Sequence, residues 1–227
     1  MDFLNVKAIT IPEGNVKQIT DSDNNILWKV NGSILPDGYT QLEYLHSDRT
    51  NYIMTDWNPG GNGKKFRHEA TMSDYVPHIS GNGETLFGNW QSGSRIGGFW
   101  RAAAYNGNIV VSVGGGEYLT DVASGLTDKE TWKLEIDDAN KTVVWDKNGT
   151  IYTTNYLGNV YRSGNYLYIF AGMSGGEKSS YKLYDFKTYE FIDGVETLTR
   201  HYIPAQRNSD NAKGLYDIVN DNFFFMY

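Results

Sequence analysis

The sequence predicts an all-β protein folded as a two-layer sandwich, and three observations predict it. Short segments alternate apolar and polar residues with period two, as in Tyr181–Thr188, the pattern of a pleated strand. Turn dipeptides such as Asn106-Gly107, Asn148-Gly149 and Asp193-Gly194 separate these segments and mark tight hairpins. No stretch sustains a helical period; one helical turn over Tyr118–Gly125 is the most the pattern allows. Composition agrees: 25 Gly and 17 Tyr with only 21% charged residues suit many short strands and tight turns.

The elements follow in chain order. Residues 1–33 read as a separate three-strand meander, too small to bury a core alone. Its strands are Val6–Ile11, Val16–Thr20 and Ile26–Val30, with turns at Pro12–Asn15 and Asp21–Asn25. It is either an attachment or oligomerisation module or an ordinary N-terminal extension of the sandwich. Asn31-Gly32-Ser33 reads as a linker, and the sandwich is expected over residues 34–227. Strands are expected at Phe66–Met72, Thr85–Trp90, Arg95–Tyr105, Ile109–Val113, Trp132–Ile136, Thr142–Trp145 and Ile151–Thr154. Tyr166–Ala171 is almost continuously apolar and reads as a central strand or sandwich core. In Tyr181–Thr188, Tyr181, Leu183, Asp185 and Lys187 should share one face. Leu198–Ile203 should return beside it, and Pro204, which cannot donate to a ladder, should mark a strand end or edge.

Two blocks resemble a known family. Leu35-Pro36-Asp37-Gly38-Tyr39-Thr40-Gln41-Leu42-Glu43-Tyr44-Leu45-His46-Ser47 is similar to the opening of concanavalin-like, laminin-G-type jelly rolls found in tail and baseplate proteins of phages and prophages. Arg49-Thr50-Asn51-Tyr52-Ile53 stands where that family has a Gly-Thr-Gln-Tyr-Ile-like run, and Tyr181–Phe224 resembles its C-terminal block. Ile19–Trp28 is similar to a short module that precedes such jelly rolls. The resemblance implies a concanavalin-like jelly-roll β-sandwich whose first and last strands lie together. It implies a lectin-like domain that recognises a host-surface glycan and works among other tail or baseplate proteins. A homotrimer follows by analogy with tail fibres, and the virion tail is the implied location.

Charge and composition bound the chemistry. A net charge of −7 argues against nucleic acid as a partner, because phosphate binding needs clustered Lys and Arg. The run Lys64-Lys65-Phe66-Arg67 reads as a solvated or edge face. No apolar run approaches the roughly 20 residues of a membrane-spanning helix, and Met1–Asn5 lacks the basic start of a signal peptide. Without cysteine there is no disulfide, thiol nucleophile or thiolate zinc site.

Glu135-Ile136-Asp137-Asp138 is the sharpest catalytic candidate. Glycoside hydrolases of concanavalin-like fold place carboxylates on alternate positions of one strand, because a retaining pair needs about 5–5.5 Å between carboxyls. The third carboxylate of that motif is missing here, and Asp137–Asn140 reads as a turn, so no catalytic residue is assigned. His46, His68, His78 and His201 are too scattered for a metal motif and read as surface or strand residues. No cofactor is expected, although Asp56, Asn58, Asp121 and Asp146 are loop-like candidates for calcium. Gly114–Gly116 and Ser80–Glu84 read as loops, since neither runs into Lys-Ser/Thr and a helix.

Sugar binding needs aromatic faces for the pyranose C–H side and planar polar groups for its hydroxyls. Trp57, Trp90 and Trp100 neighbour turns, with Asn89, Gln91, Arg95 and Arg101 close in sequence. The expected ligand-binding residues are therefore Trp90, Gln91, Arg95, Trp57, Trp100 and Arg101, with Asn89–Arg95 as a rim loop. The competing readings are a purely structural tail or baseplate protein and a glycoside hydrolase on the same fold.

Overall fold

The computed structural model describes residues 19–20, 26–28, 34–76, 83–91, 94–101, 109–121, 126–172 and 176–227. Among them every regular element is a strand, and none is a helix. In chain order these are β1 (Ile19–Thr20), β2 (Ile26–Trp28), β3 (Tyr39–Gln41), β4 (Leu45–Asp48), β5 (Ile53–Met54), β6 (Lys65–Ser73) and β7 (Glu84–Gly88). There follow β8 (Trp90–Gln91), β9 (Ser94–Arg95), β10 (Gly98–Arg101), β11 (Ile109–Val113), β12 (Gly116–Asp121), β13 (Glu130–Asp137) and β14 (Thr142–Lys147). The last are β15 (Thr150–Asn155), β16 (Tyr168–Ile169), β17 (Ser180–Ile192), β18 (Val195–Arg207), β19 (Lys213–Asp217) and β20 (Asn222–Phe225).

Two antiparallel sheets form a sandwich. One has ten strands in the order β15-β14-β13-β6-β17-β18-β19-β20, with β4 added to β17 and β3 to β18. The other has six, in the order β12-β11-β10-β7-β16-β5. Of the N-terminal meander only β1 and β2 are described, and they pair with each other; the remainder of residues 1–33 lies outside the described residues.

Turn chemistry sets the long hairpins. Asp193 and Gly194 have φ of 51° and 79°, and Asn148 and Gly149 have 50° and 93°. Positive φ at both central residues is the primed two-residue turn, whose twist matches that of the flanking strands. Asn and Asp tolerate that region and glycine enters it freely, so both dipeptides close hairpins, β17–β18 and β14–β15.

The core lies between the sheets and is aromatic. Phe87 meets Phe99 at 5.2 Å and Phe186 at 5.0 Å between ring centres, while Phe99 meets Trp132 at 5.1 Å. Most of these pairs are edge-to-face, each worth about 0.5–1.5 kcal/mol beyond the area it buries. A second cluster of Leu35, Ile203, Ala205 and Tyr216, with Tyr39 and Phe223 against it, ties the start of the domain to its last strands. Tyr52 and Tyr227 exchange backbone hydrogen bonds at 3.3 and 2.9 Å and stack their rings. The beginning and end of the sandwich therefore meet, as the two family-like blocks imply.

Several expectations need correction. Tyr181 and Leu183 point inward, but Asp185 and Lys187 do not; Phe186 and Thr188 do. The cause is a bulge: Leu183 pairs with Met72 and Asp185 with Thr71, which leaves Tyr184 extra and reverses the alternation. Pro204 stands within β18 rather than at its end. Its carbonyl accepts from Leu42 N at 2.9 Å, so its nitrogen faces the same side. On that side β17 pairs with β18 up to Tyr202 and β3 takes over from Ala205, so the missing donor falls in the gap. Lys65 and Arg67 lie on β6, a central strand between β13 and β17, not an edge; they pair across the outer face with Glu135 at 2.8 Å and Glu196 at 2.5 Å. Tyr118–Asp121 belongs to β12, not to a helical turn.

Candidate functional site

The six-stranded sheet turns one face to the core through Phe87, Phe99, Val111, Val113, Ile169 and Ile53. Strand alternation sends the intervening residues to the opposite face. Register aligns these in a row. Glu117 opposes Ser112, Ser112 opposes Gly98, Tyr168 opposes Gly88, and Tyr168 also opposes Met54. Gly88 and Gly98 meet back to back in the middle of the row. A Cβ on Gly98 would fall 1.9 Å from the Phe87 carbonyl oxygen, so only glycine allows the approach. The glycines thus leave a low floor between a polar wall and an aromatic one.

The polar wall is built around Arg95. The hairpin of β8 and β9 pairs Trp90 with Arg95 and Gln91 with Ser94, which delivers the Arg95 side chain onto the sheet. Its guanidinium donates to Ser112 Oγ at 3.0 Å and pairs with Glu117, and only 9% of the residue stays exposed. A desolvated, bidentate-capable cation of this kind is held firmly in place. Asn89 opens the same hairpin. Its Nδ2 donates to the Tyr166 carbonyl at 2.6 Å, while its buried Oδ1 has no partner. Thr85, Gly88, Asn89, Gly98 and Ser112 line a shallow pit of about 10 Å³, room for one water-sized atom. On the other side Tyr168 is half-buried, with Tyr52 at 6.0 Å and its hydroxyl on the Met54 sulfur. Gly88, Gly98, Asn89 and Ser112 are all buried, so the row exposes its rim, Glu117, Tyr168 and Met54, around a pit of water size.

The sequence-predicted residues fare differently. Arg95 lies in this row. Trp90 and Gln91 belong by backbone to the adjoining hairpin, and Trp100 and Arg101 pair with Val110 and Ile109 in β11; the side chains of these four lie outside the described residues. Trp57 is a correction. It is 1% exposed in the core, edge-on to Phe66 and His68, with its indole N–H donated to Glu190 at 2.9 Å. A ring so covered cannot stack on a sugar. Sequence reasoning missed Ser112, Glu117, Tyr168 and Met54. Tyr168 fell within an apolar run, and only the register shows that it faces away from the core.

Glu135 and Asp137 share the outer face of β13, while Asp138 lies just beyond its end and is buried. Glu135 points outward to Lys65. Asp137 accepts from the backbone and side chain of Asn140 and caps the turn. Asp138 is buried, accepting from Gly63 N at 2.6 Å, Lys141 Nζ at 2.6 Å and Tyr156 Oη at 2.7 Å. Burial raises its pKa, but these donors more than offset that and hold it below the usual carboxylate range. The same Asp138, after burial, pushes the Tyr156 hydroxyl upward. The strand reading, with Trp132, Leu134 and Ile136 inward, is the one observed.

His68 is a strand residue, on β6, and faces the core rather than the surface. Its Nδ1 meets Thr188 Oγ1 at 3.0 Å, and its Nε2 is buried without a partner. Burial among Trp57, Phe66, Phe87 and Phe186 lowers its pKa to about 3, so the ring is neutral. His46 is exposed, His201 meets Asp185 at 2.5 Å, and His78 lies outside the described residues. Burial raises the Asp185 pKa, yet hydrogen bonds from His201 and Lys187 hold it below the usual carboxylate range.

Of the calcium candidates, Asp56 pairs with Arg200, Asn58 caps Gly60, and Asp146 accepts from Gly149 N and Lys133. The side chain of Asp121 lies outside the described residues. Among the described residues no three His, Asp or Glu side chains gather where they could hold a metal.

No family model matches this chain, and no curated protein does. Solved structures do. A candidate carbohydrate-binding protein from Bacteroides ovatus superposes with a TM-score of 0.57 at 16% identity, over 82% of this chain and 58% of that one. This chain therefore spans little more than half the length of that protein. The alginate lyase AlgAT5 of polysaccharide lyase family 7 gives 0.40 at 11% identity, over 80% and 85% of the two chains. The extracellular region of zebrafish Gpr126/Adgrg6 gives 0.40 at 13% identity, over 62% of this chain and 21% of that one. The first likeness shows the fold, a jelly-roll-type β-sandwich.

Proposed function

We propose that this chain is a non-catalytic, lectin-like carbohydrate-binding sandwich, and that its glycan lies across the six-stranded face between the Arg95–Glu117 wall and Tyr168. The observation that carries the reading is the row itself, with Arg95, Ser112 and Glu117 on one side of the paired glycines and Tyr168 on the other. Arg95, Glu117 and Ser112 supply polar groups, and Tyr168 supplies a ring edge or face. A pit too small for a sugar ring favours contact at the rim by a polymer or chain end over an enclosed small molecule. The B. ovatus protein of similar fold is compatible with this reading.

The resemblance to tail jelly rolls supports a finer reading: host-surface glycan recognition within a phage or prophage tail, beside other tail or baseplate proteins. Catalysis is disfavoured because Glu135 and Asp137 are engaged by Lys65 and Asn140. A glycan array probed with the full chain tests the site. Trp90→Ala and Tyr168→Ala should each weaken binding about tenfold, a typical loss for one stacking ring. Binding unchanged in both variants would remove the six-stranded face from consideration. Release of oligosaccharide from host polysaccharide, abolished by Glu135→Gln, would instead establish a hydrolase.

A further inference from the structure

The geometry points to β15 as the seam of a two-fold dimer, in which the ten-stranded sheets of two copies join edge to edge. β15 closes one side of that sheet and, among the described residues, pairs only with β14. The primed turn at Asn148-Gly149 makes Lys147 and Thr150 a hydrogen-bonded pair. Thr150, Tyr152 and Thr154 therefore spend their backbone groups on β14, and the bond from Tyr156 N to Lys141 O at 2.9 Å continues that phase. Ile151, Thr153 and Asn155 turn their N–H and C=O groups away from the sheet. All three residues are exposed, Ile151 by 67%.

An open strand edge invites another strand, and proteins blunt such edges with charge, proline or a covering segment. Several other described edges are blunted. β5 and β20 are drawn together by the Tyr52–Tyr227 bonds, β12 carries Glu117 and Asp121, and the outer stretch of β18 carries Glu196. β15, Thr-Ile-Tyr-Thr-Thr-Asn, has neither charge nor proline.

The occupant is a second copy of this chain, because the strand is complementary to itself. Antiparallel pairing centred on Thr153 sets Thr153 against Thr153 of the second copy and Ile151 against its Asn155. All the outward groups then fall on hydrogen-bonded pairs. No like charges meet across the axis. The bond from Gly115 N to Leu157 O closes the edge beyond Asn155 and ends the ladder there. The axis runs perpendicular to the sheet, so both six-stranded layers lie on the same side. If the glycan reading holds, two sites face one surface, and avidity follows. The dimer itself does not depend on that reading.

Sedimentation velocity of the full chain over a wide concentration range tests the seam. The wild type should dimerise reversibly. Thr153→Lys and Thr153→Glu should each weaken association at least about tenfold, since like charges would meet at the axis. An equimolar mixture of the two should recover a heterodimer. Thr153→Pro should also give a monomer, because it removes only an outward donor. Unchanged circular dichroism and melting in these variants separates lost association from lost folding. A wild type that stays monomeric at its highest soluble concentration overturns the proposal, whether or not the edge takes up an extended peptide. So does a dimer that survives Thr153→Lys.

Discussion

Compare β13–β14 in the larger sheet with β7–β10 in the smaller. In the first, six consecutive pairs run from Trp132↔Lys147 to Asp137↔Thr142 without a break, and burial alternates residue by residue. In the second, the register slips between Phe99 and Trp100, and two glycines meet across the slip. The regular pair packs Trp132 and Trp145 at 5.3 Å into the aromatic core. The irregular pair gives up alternation and gains a glycine floor, a hairpin that lays Arg95 on the face away from the core, and an unpartnered Asn89 acceptor. Regularity maximises burial. Irregularity re-aims side chains, which is where bulges and close backbone approaches tend to be used.

If stability resides in the larger sheet, the largest single loss should come from its core. Trp132→Ala should lower unfolding free energy by about 4 kcal/mol in chemical denaturation, as expected for a fully buried aromatic truncated to alanine. On the proposed lectin reading, its folded fraction should bind glycan as well as the wild type. A loss of binding without loss of stability would break the division between the sheets.

His68 sharpens the comparison next, because it places a titratable ring in the otherwise apolar seam between the sheets. Its folded pKa of about 3 lies below the unfolded value of 6.5. The unfolded chain therefore binds the extra proton first as pH falls. The stability that this site contributes is complete above pH 6.5 and is lost progressively toward pH 3. By pH 4 the loss should reach about 3 kcal/mol. His68→Leu should flatten that part of the curve in pH-dependent melting. Asp138 and Asp185, whose folded pKa values are depressed, act in a lower window and would leave the acid branch below the carboxylate range in place. An unaltered slope between pH 6.5 and 4 would mean that His68 is solvated.

The smallest effect should come from a hairpin tip. Gly194→Ala meets no atom within 4 Å, so only its positive φ resists the change. A cost of about 1 kcal/mol in thermal melting is expected. A cost several times larger would show that the β17–β18 tip is held by more than turn geometry.

How far the sequence reaches depends on how local the cause is. Asn148-Gly149 and Asp193-Gly194 specify their own turns, because the φ preference belongs to those residues. Trp132, Leu134 and Ile136 were legible as inward-facing because no bulge interrupts β13. Tyr181–Thr188 was half legible: the first two positions face as expected, then Tyr184 slips. Nothing in Tyr-Asp-Phe announces that slip, since it is set by pairing with β6, more than a hundred residues earlier. Trp57 failed for a related reason. Its neighbours Asp56, Asn58 and Pro59 read as a loop, yet Glu190 and His68 from distant strands close over its ring. At the site, Arg95 and the Asn89–Arg95 hairpin were legible as a polar turn beside tryptophan. Ser112, Glu117 and Tyr168 were not, because they approach Arg95 and the glycine floor only through sheet register.

The amino-acid string alone determined an all-β chain and its tightest hairpins, and its two ends suggested a jelly-roll sandwich. Period-two hydrophobicity and backbone preference are properties of neighbours along the chain, so they can be read there. Tertiary structure decided which strands adjoin, where the ladder slips, which tryptophan is buried and which edge stays open. Those depend on hydrogen-bond phase and packing between residues far apart in sequence, where one displaced residue turns every later side chain to the opposite face.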